Sequence, residues 1–471
     1  MDKKFVPIEI TSRAPVHTAV SQFLDPPNQG RGIYEREGWS SGQSGSRTIT
    51  FTRTSGSPQP MTFRLEWVGN DGTFKSSDTI TLPLNTPVEL PVAIDVKGIG
   101  VHSAILNLKR PGYPWIAHQV MNTVVAAEDF TDSVHYTLER KFSVERPGTA
   151  SLFLRVPPNT PALHLDITIP NAKPTLRLSA IAPDLNPRVM FGILGLTDKG
   201  HLSTTIKDPV PGVWEIVFYG NNFVFFPEQL DSKPLAPVPT TVIASLIDVE
   251  ASQSVCRLDK GGLQGCPTEV TFSNKRGAFR GVAKTGSLGS ARRLEESISA
   301  GELKIYDIDV PPGAEKISAS ISDLSDKNAD VDIYLFQEIK GIAVLKDSNT
   351  GPGSVKSVDA DSPAPGHWKV VVDAYALPSG STHFTYTDFF THPALGTIAV
   401  DSKPAIIGSA SQWKVQPKIT LRAIPAGDRV LVGFIPVYPV DEAEKSEAKT
   451  EFEKRLKEMN FSVGAASFDF K

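Results

Sequence analysis

The 471-residue sequence is short of several things, and each shortage excludes a class of protein. Two cysteines cannot build a dense disulfide framework, and no second Cys pair or His cluster stands near them to complete a zinc site. Neither sign of charge is in excess: 48 Lys and Arg against 52 Asp and Glu leave a net charge of −4. A broad basic face for nucleic acid is therefore not indicated. No apolar run approaches the roughly 18 residues that a membrane-spanning helix requires. The nine histidines are scattered, and no His-Glu-x-x-His helix, phosphate loop or dinucleotide fingerprint is present. No Gly-x-Ser-x-Gly elbow stands in a nucleophile's context. The chain opens Met-Asp-Lys-Lys with no apolar segment behind it, so no signal peptide or lipidation motif is expected on it.

What is present points to β structure. Prolines number 38 and glycines 36, and they are spread along the whole chain. Proline at that density breaks long helices. Hydrophobic residues make up 40%, enough to fill cores, and they fall in short alternating runs. Residues 47–53, 62–67 and 103–108 alternate with period two, as half-buried strands do. Residues 79–85 and 88–96 read as two more strands, whose prolines suit sheet edges or strand ends. A strand about every ten residues suggests a β-sandwich.

The chain also repeats itself. Val156-Pro157-Pro158 recurs as Val310-Pro311-Pro312, and Pro211-Gly212-Val213-Trp214 recurs as Pro365-Gly366-His367-Trp368, both 154 residues on. Leu163, Leu165 and Ile167 map onto Ile317, Ala319 and Ile321 at the same offset. Two anchors at one spacing predict two copies of one β module. In each, a Pro-Pro turn opens a core strand, and a Pro-Gly turn delivers Trp214 or Trp368 into a late strand of a jelly-roll-like sandwich. Core anchors are the expected role of these tryptophans; an exposed carbohydrate-stacking platform is the alternative.

Three local features complete the reading. Cys256 and Cys266 flank Asp259-Lys260-Gly261-Gly262, a good hairpin turn. A disulfide across it is geometrically natural and suits an oxidising compartment; two unrelated thiols are the alternative. Asp330 and Asp332 share a strand face, with Asp323 and Asp326 nearby. Asp326, Asp330 and Asp332 are the candidates for a structural calcium ion, against a solvated loop running into a strand. Residues 441–459 break the β pattern. Asp441 with Glu444 fits a capping box, and Ala448, Phe452, Leu456 and Met459 form one apolar stripe. A surface helix docked on a sandwich is expected, with a partner-binding helix as the alternative.

Several segments resemble a known family. Arg31-Gly32-Ile33-Tyr34-Glu35-Arg36-Glu37, the stretch Val101-His102-Ser103-Ala104-Ile105-Leu106 running on to Val124-Val125-Ala126-Ala127, and the second copy's Val310-Pro311-Pro312-Gly313, Asp330-Val331-Asp332-Ile333-Tyr334-Leu335 and Pro365-Gly366-His367-Trp368 carry the likeness. In that order they resemble the non-catalytic C-terminal region of large subtilisin-like serine proteases, of the tripeptidyl-peptidase II type and secreted bacterial subtilases. The family's Asp-Ser/Thr-Gly, His-Gly-Thr-His and Gly-Thr-Ser-Met-Ala-x-Pro motifs are absent, and Pro147-Gly148-Thr149-Ala150-Ser151 does not replace them. No catalytic residue carries over, and the chain opens roughly where such a catalytic domain would have ended.

The expectation is an all-β chain of tandem β-sandwich and jelly-roll modules with one short C-terminal amphipathic helix. Its modules are 1–128, a fibronectin/Ig-like sandwich; 129–233, jelly-roll copy 1; 234–297, a small β domain or connector; 298–390, jelly-roll copy 2; and 391–471, a β segment plus the helix. No cofactor is expected beyond the calcium candidate. The resemblance implies a subtilase catalytic domain as partner, in the same precursor or a separate chain, an accessory role without catalysis, and a secreted, bacterial setting. Cytoplasmic location and homo-oligomer formation stay open. A free-standing surface protein that binds glycan or protein is the other reading.

Overall fold

The computed structural model describes residues 8–169, 176–184, 187–194, 200–220, 236–252, 254–259, 262–350, 355–440 and 464–470. Among them the chain is strand joined by turns, with 3-10 turns at Ser21–Phe23 and Asp132–Val134 and no α-helix. The chain is all-β. The helix expected at 441–459 lies outside the described residues.

The first module is a sandwich. One sheet joins Ile10–His17, Ser44–Arg53, Pro87–Asp95 and Phe74–Lys75; the other joins Tyr34–Trp39, Ile116–Ala126, Gly100–Lys109, Met61–Val68 and Thr79–Leu82. Ile10–His17 serves both, pairing antiparallel with Thr50–Arg53 and, further on, parallel with Tyr34 and Glu35. Period-two alternation sets what each strand buries: Met61, Phe63 and Leu65 face the core while Thr62 and Arg64 face water. Pro91 sits on a strand whose outer neighbour pairs only with Ile94 and Ala93, so its missing N–H breaks no ladder there. Phe51, Phe63, Val92 and Leu106 fill the space between the sheets.

The two repeats share one topology. Copy 1 contains β1 (Thr137–Val144), β2 (Gly148–Val156), β3 (Ala162–Thr168), β4 (Leu176–Ile181), β5 (Pro187–Leu194), β6 (His201–Lys207), β7 (Gly212–Gly220) and β8 (Val238–Ile247). Copy 2 contains β9 (Gly286–Ser299), β10 (Leu303–Val310), β11 (Lys316–Ser322), β12 (Asp330–Ile339), β13 (Ile342–Asn349), β14 (Lys356–Asp361), β15 (Gly366–Ala376) and β16 (Ser381–Thr391). Copy 1 pairs them β1-β8-β3-β6 and β2-β7-β4-β5; copy 2 pairs them β9-β16-β11-β14 and β10-β15-β12-β13. First with eighth, third with sixth, second with seventh is the interleaving of a jelly roll.

The anchors expected from the 154-residue offset fall at equivalent points. Trp214 and Trp368 are 0% and 2% exposed. Each indole Nε1 donates to the carbonyl four residues earlier, Val210 at 2.8 Å and Ala364 at 3.0 Å. Gly212 and Gly366 each have φ of 125°, where a β-carbon would be strained. The turn is tied back in the same way too, by Asp208 N to Pro161 O at 2.9 Å and Ser362 N to Glu315 O at 2.7 Å.

The remaining strands divide differently from the expected boundaries. Val238–Ile247, expected in a connector, is β8 and pairs with both β1 and β3. β9 starts at Gly286 and spans two cores: Gly289–Ser299 pairs with β16, while Leu288–Ala291 also pairs with Val430–Gly433. The rest of the connector and the C-terminal segment make one core, in which Val249, Cys256, Val270 and Phe272 meet Ile398, Val415, Ile435 and Phe468. Val270–Asn274 pairs with Gln412–Val415, and Ser254–Asp259 runs parallel to Gly464–Phe470. Copy 2 is thus inserted within a discontinuous domain. Alternation tells which face of a strand is buried but not which distant strand lies beside it, so this grouping was not readable from spacing. Cys256 and Cys266 form a disulfide within this domain, beside the paired residues Arg257–Gln264 and Leu258–Leu263.

Because the two indoles occupy equivalent core sites, Trp214→Ala and Trp368→Ala should each cost about 3–5 kcal/mol. Denaturant unfolding of the two variants checks this; a loss below about 1 kcal/mol at either would contradict the anchor role.

Candidate functional site

The joints between modules carry the most elaborate polar chemistry among the described residues. The first joint is built by the Arg31–Glu37 stretch. Gly32 lies so close to a neighbouring strand that a β-carbon there would meet Met121 O at 1.9 Å. Ile33 is in the core, and its N–H donates to Asn122 Oδ1 at 3.1 Å. Glu35, 1% exposed, accepts from Trp39 Nε1 at 3.1 Å and from Arg47 at 2.5 and 2.9 Å. That pairing raises the Arg47 guanidinium, chiefly through its hydrogen bond to Glu35.

The next two residues of the stretch leave the module. Arg36 reaches copy 1, donating to Glu215 Oε2 at 3.3 Å and Val213 O at 3.4 Å. Glu37 accepts the Val213 N–H at 3.1 Å. From the other side Arg155 reaches back to Asp129 at 2.9 Å, Ser40 Oγ at 3.0 Å and Trp39 O at 2.5 Å. Between these bonds Val125, Ala127, Phe153 and Val213 form a small apolar core. Charge-assisted bonds around an apolar plug fix direction as well as contact.

The two jelly rolls meet through equivalent edges, β6 and β14. Lys207 Nζ lies 2.5 Å from Asp359 Oδ2, and Lys316 lies 3.3 Å from the same oxygen. Asp347 Oδ2 accepts the Asp359 N–H at 2.8 Å. Burial alone would raise the Asp359 carboxyl, but Lys207 and Lys316 outweigh it and hold it below its ordinary value. Asp208 and Asp347 go the other way, because burial raises both.

Two further joints involve the discontinuous domain. Asp388 is fully buried and accepts from Arg292 of β9 at 2.9 and 3.1 Å and from Arg429 at 2.6 Å. Phe389 stacks on Phe434 beside them at 4.6 Å. Arg276 reaches copy 1 at Thr160 Oγ1, 2.7 Å away, and Asn159 O, 3.3 Å away.

The carboxylates considered for calcium are placed separately. Lys356, 1% exposed, sits between Asp330 and Asp332 with Nζ at 2.6 and 2.8 Å from their oxygens. Asp326 lies apart on an exposed turn, where it accepts from the Asn328 N–H at 2.9 Å and the Ser379 N–H at 3.3 Å. Asp323 accepts from Ser322 Oγ at 2.9 Å. Among the described residues no group of three or more His, Cys, Asp or Glu is arranged to hold a metal. Lys356 was missed in the sequence because its partners lie 24 and 26 residues away on another strand. No described helix is long and apolar enough to cross a membrane.

Residues 11–126 match the family described as the Ig-like domain in actinomycete serine proteases. The chain is also 27% identical over 375 residues to pyrolysin of Pyrococcus furiosus, a match covering 77% of this chain and 24% of that protein. The chain is similar to subtilisin-like serine proteases in a non-catalytic region. It spans about a quarter of the curated relative it matches. Among solved structures, tripeptidyl peptidase 2 is similar at 10% identity and TM-score 0.43, over 98% of this chain and 40% of that one. The secreted serine protease VesC from Vibrio cholerae is similar at 11% identity and TM-score 0.27, over 45% of this chain and 50% of that one.

Two predictions come from the buried charges. At the copy 1 positions 154 residues before Asp330, Asp332 and Lys356 stand Leu176, Leu178 and Leu202, all buried. Lys356→Ala should cost about 3–5 kcal/mol, whereas changing all three residues to Leu should be neutral or stabilising by about 1–4 kcal/mol. Chemical denaturation of both variants gives the comparison, and equal losses would refute it. For the joint, Asp347 has its folded pKa raised, so at neutral pH its ionised form costs stability that is regained as pH falls through that value. Asp347→Asn should raise Tm at neutral pH, with the gain fading in acid. Thermal melts across pH test this, and a gain that grows in acid has the wrong sign.

Proposed function

We propose that this chain is the accessory and scaffold region of a subtilisin-like serine peptidase, without catalysis of its own. The observation that carries the reading is the match of residues 11–126 to an Ig-like domain of serine proteases, together with the likeness to pyrolysin over 375 residues. Support comes from the joints. Arg36 and Glu37, on the stretch that resembles subtilisin-like proteases, bind the first module to copy 1. Arg292, Arg429 and Asp388 bind copy 2 to the discontinuous domain. Modules fixed by buried charge pairs transmit a set geometry, which is what a support for a catalytic domain and its substrate access requires. The partner in this reading is the peptidase domain, in the same precursor or as a separate chain, and the setting is extracellular.

The test is hydrolysis. The isolated chain should cleave no peptide substrate in a manner sensitive to serine-directed reagents. Fusion behind a subtilisin-like catalytic domain should lengthen that domain's half-life on heating or narrow its substrate range. Serine-reagent-sensitive turnover by the isolated chain would sink the reading, as would a fusion that alters neither property.

A further inference from the structure

The outer face of the copy 2 sheet β10-β15-β12-β13 is unlike the equivalent face of copy 1. In copy 1 that face is an interface, where Phe153, Arg155, Val213 and Glu215 meet the first module. The equivalent residues of copy 2 are Asp307, Asp309, His367 and Lys369, whose ion pairs among the described residues are with one another and with Glu338 of the same sheet. Further along the same strands the change is opposite. Thr149 and Ser151 of copy 1 correspond to Leu303 and Ile305, which stand 57% and 59% exposed, and Tyr375 beside them is 66% exposed. Across the sheet, Ile305 pairs with Val371 and Val371 with Tyr334, and Phe336 follows along β12 with its ring 6.4 Å from that of Tyr334.

The charge on this face is negative. Asp307, Asp309, Asp373 and Glu338 line it, against Lys369, which pairs with Glu338 at 3.1 Å, and His367, which pairs with Asp309 at 2.5 Å. Two groups on the face register that field. The His367 imidazole is raised, first by its bond to Asp309 and then by Asp307 and Glu338. The Tyr334 phenol is raised by burial and then by Asp332, Asp373 and Asp330.

We propose that this face docks an extended, arginine- or lysine-rich polypeptide segment with apolar residues between its charges. The alternation fits: a strand-like segment directs side chains to one face every second residue, at the spacing at which apolar Ile305 gives way to acidic Asp307 and Asp309. Cationic side chains answer the carboxylates, and exposed Tyr375 with the half-buried rings of Tyr334 and Phe336 receives their stems and heads. This occupant is independent of the accessory reading above and requires no peptidase.

The experiment measures fluorescence anisotropy of a labelled peptide of alternating arginine and valine against the full chain. The expected result is saturable binding that weakens as salt is raised. The double variants Ile305→Ser with Tyr375→Ser, and Asp307→Asn with Asp309→Asn, should each weaken it about tenfold while keeping Tm, because all four side chains are exposed. No binding, equal binding of an alternating glutamate and valine peptide, indifference to both double variants, or displacement by an uncharged glucan would each overturn the proposal. None of these outcomes touches the hydrolysis test, so the two readings fail separately.

Discussion

A tryptophan leaves water completely only if its indole N–H keeps a partner. In both jelly rolls that partner is a carbonyl four residues upstream, reached because a Pro-Gly turn folds the chain back at the right point. Gly212 and Gly366 make the turn, and the strand that follows each one runs through the centre of its sheet, between the second and fourth strands. That central strand pairs along its length with both neighbours. Much of each module is therefore registered from one turn and one ring. In copy 1 the core residues Leu154 and Leu178 lie on the two strands that pair with the central one.

The same dependence explains what could be read from the sequence. Local rules specify turns, alternation and large buried rings, so the all-β class, the two copies and the roles of Trp214 and Trp368 were visible as spacing. The disulfide was visible because both cysteines flank one hairpin. The discontinuous domain was not, because Val270–Asn274 meets Gln412–Val415 across an entire inserted jelly roll. The boundary inside β9 was hidden for a related reason: one strand serves two cores, and no composition shift marks the change. The stretch Arg31–Glu37 was noticed as a resemblance, but its work depends on Val213 and Glu215 about 180 residues later, a distance that no local rule spans.

The joints show a consistent choice of chemistry. Each places an arginine or lysine against a carboxylate or carbonyl that is partly or wholly removed from water. Such pairs contribute little net stability once desolvation is counted, but they penalise every arrangement that separates them. Asp388 illustrates the point: with no exposed surface, it depends on Arg292 from one core and Arg429 from the other. Displacing the domains would strand a buried carboxylate. Apolar contacts such as Phe389 on Phe434 supply area, and the charges select the geometry.

The contrast between copies carries this argument one step further. Leu176, Leu178 and Leu202 show that the jelly roll forms with an apolar group where copy 2 holds Asp330, Asp332 and Lys356. The ionic group is therefore not required by the topology. Two carboxylates and one ammonium leave a net negative charge, and the Tyr334 hydroxyl on the outer sheet face donates to Asp332 at 3.3 Å. A buried charge is screened poorly, so its field reaches that face while surface charges are damped by salt. The triad that copy 1 lacks thus adds to the negative potential at the copy 2 sheet face whose copy 1 equivalent, among the described residues, meets the first module.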